Sequence, residues 1–415
     1  CGYNSRLRQQ KPHEMKIFVT GTGIISALGT GTGATLQSLL SGESGIDVIR
    51  HLSTGHKEFP AGEVALPNED IARMLGVGYP ENGLRTVLLG ITAAREAVSS
   101  ASLADTDLAD AAFVSGTTVG GMDKTEKYFK SAFDAESKTE DSLELKYNDC
   151  GYSSGMIADN TGPFSMVTTT STACSSAANA IIFGANLIKA GVTDIVVAGG
   201  AEALTKFHLN GFNTLMILDK NTCRPFDRNR AGINLGEGAA YIVLESEESV
   251  KRRNVRPVAE LSGYANTCDA YHQTATSENG EGAYLAMRKA MDMARLSPCD
   301  IDYVNAHGTG TPNNDASELA AMERIWGTQI PAFSSTKAFT GHTTSASGSI
   351  ETVICLLALQ HGFLPPNLGW RTPINEGGIP ITGTDNQRDI KNIINNSFGF
   401  GGNDSSLIFS KCQLQ

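Results

Sequence analysis

VTTTSTACSSAANAIIFGANLIKAG, residues 167–191, decides how the rest of the chain is read. A run of Ser and Thr ends in Ala173-Cys174, small residues follow, and an apolar helical pattern continues to Gly191. The pattern predicts a strand that delivers Cys174 to a tight turn, with a helix starting immediately after it. Free N–H groups and the dipole at that helix start favour a thiolate. Ala173, Ser175, Ser176, Ala177 and Ala178 leave room for a substrate to approach. Taken alone, such a cysteine is more often a small buried hydrophobe. What turns the reading towards chemistry lies further along the chain.

Composition narrows the class. The 415 residues include 44 Gly but only 14 Pro, which suits an α/β chain with many tight strand–helix turns. A net charge of −11 argues against a general nucleic-acid-binding surface. None of the eight cysteines forms a CxxC pair, so reduced thiols and a cytoplasmic location are expected. No apolar run reaches the roughly 18–20 residues that span a bilayer. Residues 1–14 lack an apolar core and read as a leader or remnant ahead of Met15.

Outward from the quoted stretch, short apolar strands alternate with helices. Residues 15–20 (MKIFVT) read as a strand running into Gly21-Thr22-Gly23. This superficially offers a dinucleotide loop, but Ser26 stands where GxGxxG needs its third glycine, so nicotinamide binding is disfavoured. Further strands are predicted at 111–115, 163–170, 193–198 and 239–245, with helices at 34–41 and 87–99. Residues 123–147 are highly charged and read as a surface insertion, with Lys124, Lys127 and Lys130 on a solvated face. The second half repeats the rhythm, with strands at 258–264, 302–306, 332–336, 392–396 and 405–409 and helices at 282–295 and 349–360. TSTACSSAANAIIFGANLIKAG (170–191) and TGHTTSASGSIETVICLLALQHG (340–362) share one plan: polar turn, reactive side chain, small residues, apolar helix, Gly. This predicts two duplicated α/β halves in one compact body, residues 15–255 carrying the cysteine and residues 256–415 carrying two histidines.

Cys174, His307 and His342 each follow a predicted strand and sit among small residues, where α/β proteins place reactive groups. Zinc is disfavoured, because the three lack a short two-ligand anchor such as HxxxH or CxxC. Together the motifs TACSSA around Cys174, NAHGTGTP around His307, SSTKAFTGH from Ser334 to His342 and NSFGFGGND at Asn396–Asp404 resemble the β-ketoacyl–acyl-carrier-protein synthases. The resemblance is to the elongating, type II condensing enzymes of the thiolase superfamily, and it runs from Met15 to about Lys411.

That resemblance implies a thiolase-like five-layered αβαβα sandwich, normally a homodimer, and no tightly bound cofactor or metal. It implies decarboxylative condensation of malonyl carrier protein with an acyl group held on Cys174, giving 3-oxoacyl carrier protein in fatty acid or related polyene and polyketide synthesis. The phosphopantetheine arm arrives on the acyl carrier protein. Cys174 would be the nucleophile, suited to thioester exchange. Neutral His307 and His342 would donate to the thioester carbonyl as its enolate forms. Lys337 would support His342, with Glu351 as its partner, since a carboxylate in an apolar helix needs one. Phe400 resembles the gating phenylalanine, and its backbone N–H would join that of Cys174 in an oxyanion hole. Thr309 and Thr311 resemble pantetheine contacts, and Val119 and Phe212 acyl-pocket positions.

Four departures touch substrate and docking rather than the catalytic set. The family pattern TGHxxGAAG reads TGHTTSASG here, with Ser345 for the first Gly. GFGGND replaces GFGGTN, the segment Tyr152–Pro163 is short, and Gly211-Phe212-Asn213-Thr214 lacks a docking Arg. A specialised secondary-metabolite synthase therefore stays open. A non-catalytic chain-length partner is disfavoured by Cys174, a degradative thiolase by the absence of Cys from the C-terminal Gly-rich turn, and an initiating synthase by His342.

Overall fold

A computed structural model describes residues 15–78, 84–132, 144–375 and 378–412, with only the backbone of 129–132 and 144. Residues 1–14 and part of the 123–147 insertion, with the side chain of Lys130, lie outside the described residues.

Ten strands form the body of one eleven-stranded sheet: β1 (Ile17–Ser26), β2 (Ala112–Gly116), β3 (Met166–Thr170), β4 (Ile195–Glu202), β5 (Gly238–Ser246), β6 (Ala259–Cys268), β7 (Tyr303–Asn305), β8 (Ala332–Ser334), β9 (Asn392–Gly399) and β10 (Asn403–Ser410). A two-residue strand, Gly29–Thr30, is an appendage on β1. The order is β3-β2-β4-β5-β1-β6-β10-β9-β7-β8. Read inward from either end, each half runs third, second, fourth, fifth, first. In each, the second strand pairs in parallel with the third and fourth, and the remaining pairs are antiparallel. The halves meet where β1 and β6 pair antiparallel through Phe18↔Glu260 and Val19↔Ala259. The repeat visible in sequence is therefore a repeat of topology.

The helices that matter here are α1 (Arg85–Ser100), α2 (Met122–Ala132), α3 (Ser176–Lys189), α4 (Lys206–Thr214), α5 (Glu281–Ala294), α6 (Pro312–Trp326) and α7 (Ser347–His361). Strand side chains alternate between two cores, as the pleat requires. In the first half Val114, Val196 and Ile242 face inward onto α3 and α7, while Phe113, Val197 and Tyr241 face outward onto α1. In the second half Ile393, Leu407 and Phe409 join the same inner core, while Val304, Ile394 and Ile408 pack outward on α5 and α6. The layers are thus α1, sheet, α3 with α7, sheet, α5 with α6. Each fully buried Ile, Leu or Phe contributes about 1.5–3 kcal/mol relative to exposure, so the doubly covered strands read as nearly continuous apolar runs.

Three sequence expectations change. Gly21 and Gly23 lie inside β1, not in a loop. A Cβ on either would sit within 2.3 Å of a carbonyl oxygen of α1, so glycine here lets helix and strand approach. Helix α6 is not apparent from periodicity, although Pro312 at its first turn is a start signal. The insertion begins as α2, with Thr125 buried and the Asp123 carboxylate accepting the Arg85 N–H at 2.7 Å, so it is not wholly a solvated face.

Candidate active site

The turn after β3 is a strained elbow. Ala173 adopts φ 53°, a left-handed conformation that costs a residue with a Cβ about 1–2 kcal/mol. Cys174 follows, and Ser175 caps α3. His342 lies in the corresponding loop of the second half, after β8, and His307 in the loop after β7. The duplicated topology therefore brings side chains 168 residues apart in sequence to one point: His342 Nε2 is 2.9 Å from Cys174 Sγ. The His307 and His342 rings stand edge to face, their centroids 5.4 Å apart.

Burial sets the protonation of this group. It pushes the Cys174 thiol up to about 11, against the opposing influence of Lys337 and of the backbone N–H groups of Phe400 and Cys174. The start of α3 does not overcome desolvation, so the thiolate expected from sequence is not the resting species; Cys174 is a thiol. Burial, followed by the nearby charge of Lys337, also holds both histidines well below their ordinary range, so the imidazoles are neutral. Lys337 Nζ meets Glu351 Oε1 at 2.5 Å, with neither side chain more than 2% exposed. The carboxyl is nevertheless raised to about 6, because burial outweighs its lysine.

A cavity of about 400 Å³ opens onto Cys174, His307 and His342 and is also lined by Thr309, Thr311, Phe212 and Phe400. Phe400 stacks on Phe212 at 5.8 Å, and the Thr309 and Thr311 hydroxyls are 2.8 Å apart. Lys337 and Glu351 stand behind the histidines rather than in the cavity. Val119 does not line it either. Glu202 takes the Thr117 hydroxyl at 2.9 Å and the Thr118 N–H at 2.6 Å, and this turns the loop so that Val119 is buried at the entry to α2. Another cavity, of about 470 Å³ beside Arg85 and Glu237, contains none of the three reactive side chains.

Sequence reasoning missed several buried partners. Both oxygens of Glu318 take backbone N–H groups, from His307 and Gly308, each at 2.8 Å, which fixes the His307 loop. Asn403 Oδ1 accepts from the Ser175 hydroxyl at 2.7 Å and from Asn179 at 2.8 Å, tying the Gly-rich turn to the elbow. Ser345 donates to Glu202 at 2.5 Å, so the hydroxyl at the departed glycine has a structural partner. The same motif carries a second departure, Ser347 where the pattern has Ala, and its Oγ lies 3.3 Å from His342 Nδ1. Of these, the sequence singles out only Ser345 as a departure; Ser347 and Asn403 lie within the same departing motifs, TGHTTSASG and GFGGND, without being singled out. Nothing local flagged Glu318.

A duplicated α/β body with Cys174 and His342 converging from equivalent strand ends, and His307 from the neighbouring one, defines a thiolase-like condensing enzyme. The chain belongs to the β-ketoacyl synthase family: the β-ketoacyl synthase N-terminal domain matches residues 14–249 and the C-terminal domain residues 258–371. It is 34% identical over 409 residues to 3-oxoacyl-[acyl-carrier-protein] synthase 2 of Staphylococcus aureus (strain MRSA252), covering 96% of this chain and 98% of that one. It is 33% identical over 410 residues to nodulation protein E of Rhizobium meliloti (strain 1021), covering 96% and 100%. Among solved structures it resembles the ishigamide ketosynthase/chain length factor, with TM-score 0.89 and 31% identity over 96% of this chain and 100% of that one. The ketosynthase ApeO in complex with its chain length factor ApeC from Xenorhabdus doucetiae gives TM-score 0.81 and 29% identity over 97% and 99%.

Proposed function

We propose that the chain condenses malonyl carrier protein with an acyl group carried on Cys174, releasing carbon dioxide and 3-oxoacyl carrier protein in fatty acid or polyketide synthesis. The observation that carries this reading is the 2.9 Å approach of His342 to Cys174 in a cavity shared with His307. In the first half-reaction the Cys174 sulfur displaces the phosphopantetheine thiol from an acyl thioester. In the second, the imidazoles of His307 and His342 donate to the malonyl thioester carbonyl as its enolate forms, and the enolate attacks acyl-Cys174. Neutral rings suit this task, since negative charge develops on that oxygen and one such donor is worth on the order of 3 kcal/mol. The N–H groups of Cys174 and Phe400 hold the oxyanion of the attack. Lys337 and Glu351 support His342, Thr309 and Thr311 contact the pantetheine, and Phe400 gates the acyl side beside Phe212.

The catalytic cysteine belongs to a half spanning residues 15–255 and the histidines to a half spanning 256–415. The chain works as a homodimer. A heterodimer with a chain-length partner is the alternative, because two of the similar structures are a ketosynthase with a chain length factor. In that case Cys174 places this chain on the catalytic side. The test supplies the purified protein with acyl and malonyl carrier proteins. A 3-oxoacyl product, an acyl mass on Cys174 and loss of both in Cys174→Ala are expected. No product together with no acyl adduct overturns the reading.

A further inference from the structure

We propose that the carrier protein docks on an apolar stripe of α4 beside the mouth of the Cys174 cavity, through apolar contact rather than through charge. The inference rests on the condensing role above and says how the partner of that site is recognised. On α4 and its exit, Phe207 is 54%, Leu215 42% and Met216 87% exposed. Phe207, Gly211 and Leu215 recur every fourth residue, so they share one face of the helix. A Cβ on Gly211 would meet nothing within 4 Å, so the stripe has an open notch between its two larger side chains. Met216 continues it to the cavity, whose lining includes Met216, Ile217 and Phe212. Met216 holds φ 57°, a left-handed conformation suited to Gly or Asn. Neither backbone nor solvent favours a large apolar side chain there, so its use lies in a contact with another molecule.

Position, size and charge select the occupant. α4 carries both the stripe and Phe212 of the cavity wall, so a molecule seated on the stripe stands beside the path that its arm must take to Cys174. Three part-exposed side chains fall far short of the roughly 800 Å² that each partner of a stable interface buries, which suits a partner that delivers its arm and leaves. None of the cavity's lining residues is Asp, Glu, Lys or Arg among the described residues, and residues 211–216 hold no charge. Lys206, next to Phe207, and Lys127 of α2 both act on the Glu126 carboxylate, which accepts the Lys206 and Phe207 N–H groups at 3.3 and 3.1 Å. Those cations are therefore answered from within the chain. A net charge of −11 also offers an anionic partner no long-range steering. Recognition is left to apolar contact: the carrier presents its own apolar side chains around the arm, one of them filling the Gly211 notch.

The test offers octanoyl carrier protein and octanoyl-pantetheine, the arm alone, to wild type, Phe207→Ser, Leu215→Ser and Gly211→Gln, and times acylation of Cys174. Each variant should raise the half-saturating carrier concentration about tenfold, as truncating or blocking an anchoring contact does. The maximal rate, and the rate with octanoyl-pantetheine, should stay within about twofold of wild type. For wild type, half-saturation should move less than about threefold between roughly 50 and 500 mM salt, because apolar contact is not screened. Steep salt dependence with variants that behave as wild type overturns the proposal in favour of recognition by charge. Variants that slow both donors equally would make the stripe a support of the site, and variants that sediment at a lower mass than wild type would make it a subunit contact; either result overturns it. Should wild type take no acyl group from either donor, acyl transfer fails on its own account. Titration of ¹⁵N-labelled octanoyl carrier protein with wild type and Leu215→Ser then still decides the docking: weaker binding by the variant supports it, and equal binding overturns it.

Discussion

A lysine with no exposed surface needs a carboxylate beside it, and Lys337 has Glu351 at 2.5 Å. Removing one partner leaves the other buried without its counter-ion, a loss of about 3–5 kcal/mol, whereas replacing both by apolar groups of similar shape is often neutral. Glu351→Leu should therefore lower the unfolding free energy by about that amount, and the double variant with Lys337→Met should recover most of it in denaturant titrations. The double variant also removes the charge that helps hold both histidines neutral. Their pKa values then rise, and the acid limb of the condensation profile should move to higher pH. An unmoved limb would show that burial alone sets the histidines. For Cys174, whose thiol is pushed up to about 11, alkylation by iodoacetamide should still be accelerating between about pH 8 and pH 10. A plateau near neutral pH would mean a preformed thiolate. The convergence of Cys174, His307 and His342 was legible because each interrupts a run of small residues after a strand. Glu318 was not: its partners, the N–H groups of His307 and Gly308, are reached only when α6 folds back on the loop.

The Gly-rich turn between β9 and β10 shows the same limit at the scale of elements. Its strands were readable from alternating apolar residues, yet the meaning of Asp404 depends on what packs against it. Asp404 is 1% exposed and its Oδ1 has no partner. Burial, then the nearby Asp269 and Glu318, raise its carboxyl to about 7. A carboxyl with a raised folded pKa binds its proton more readily folded than unfolded. Stability therefore falls as pH climbs from the ordinary carboxylate range to about 7, and the penalty persists above that. Asp404→Asn should raise the unfolding free energy by on the order of 2–4 kcal/mol at about pH 8, by about a third of that at about pH 5, and leave it nearly unchanged at about pH 3.5. Equal shifts at all three pH values would show that the gain comes from shape rather than charge. The Gly21-Thr22-Gly23 stretch fails in the opposite direction. The local signal for a turn is strong, but the packing of α1 on β1 needs the missing Cβ atoms more than any loop does.

At the scale of the molecule, the sheet has two ends, and the described residues cap only one with further chain. Beside β8, Ser334 donates to the Pro365 carbonyl and Ile381 N–H to the Phe333 carbonyl, so that end is capped from within. At the other end β3 has β2 as its one strand partner among the described residues, and Val167, its second residue, is 42% exposed. An uncovered strand offers a row of backbone groups to another chain. This strand also runs directly into the elbow, so whatever covers β3 bears on Cys174. A homodimer with each copy's β3 against its partner satisfies both edges by one symmetric contact. Val167→Asp would place a carboxylate in that contact twice over. Sedimentation should then fall from twice the chain mass to the chain mass, with loss of condensation but an unchanged circular dichroism spectrum. Wild type that sediments as a single chain and gains activity only on adding a chain-length partner would replace the homodimer by the heterodimer. A Val167→Asp protein that still sediments at twice the chain mass would place the interface elsewhere on the surface.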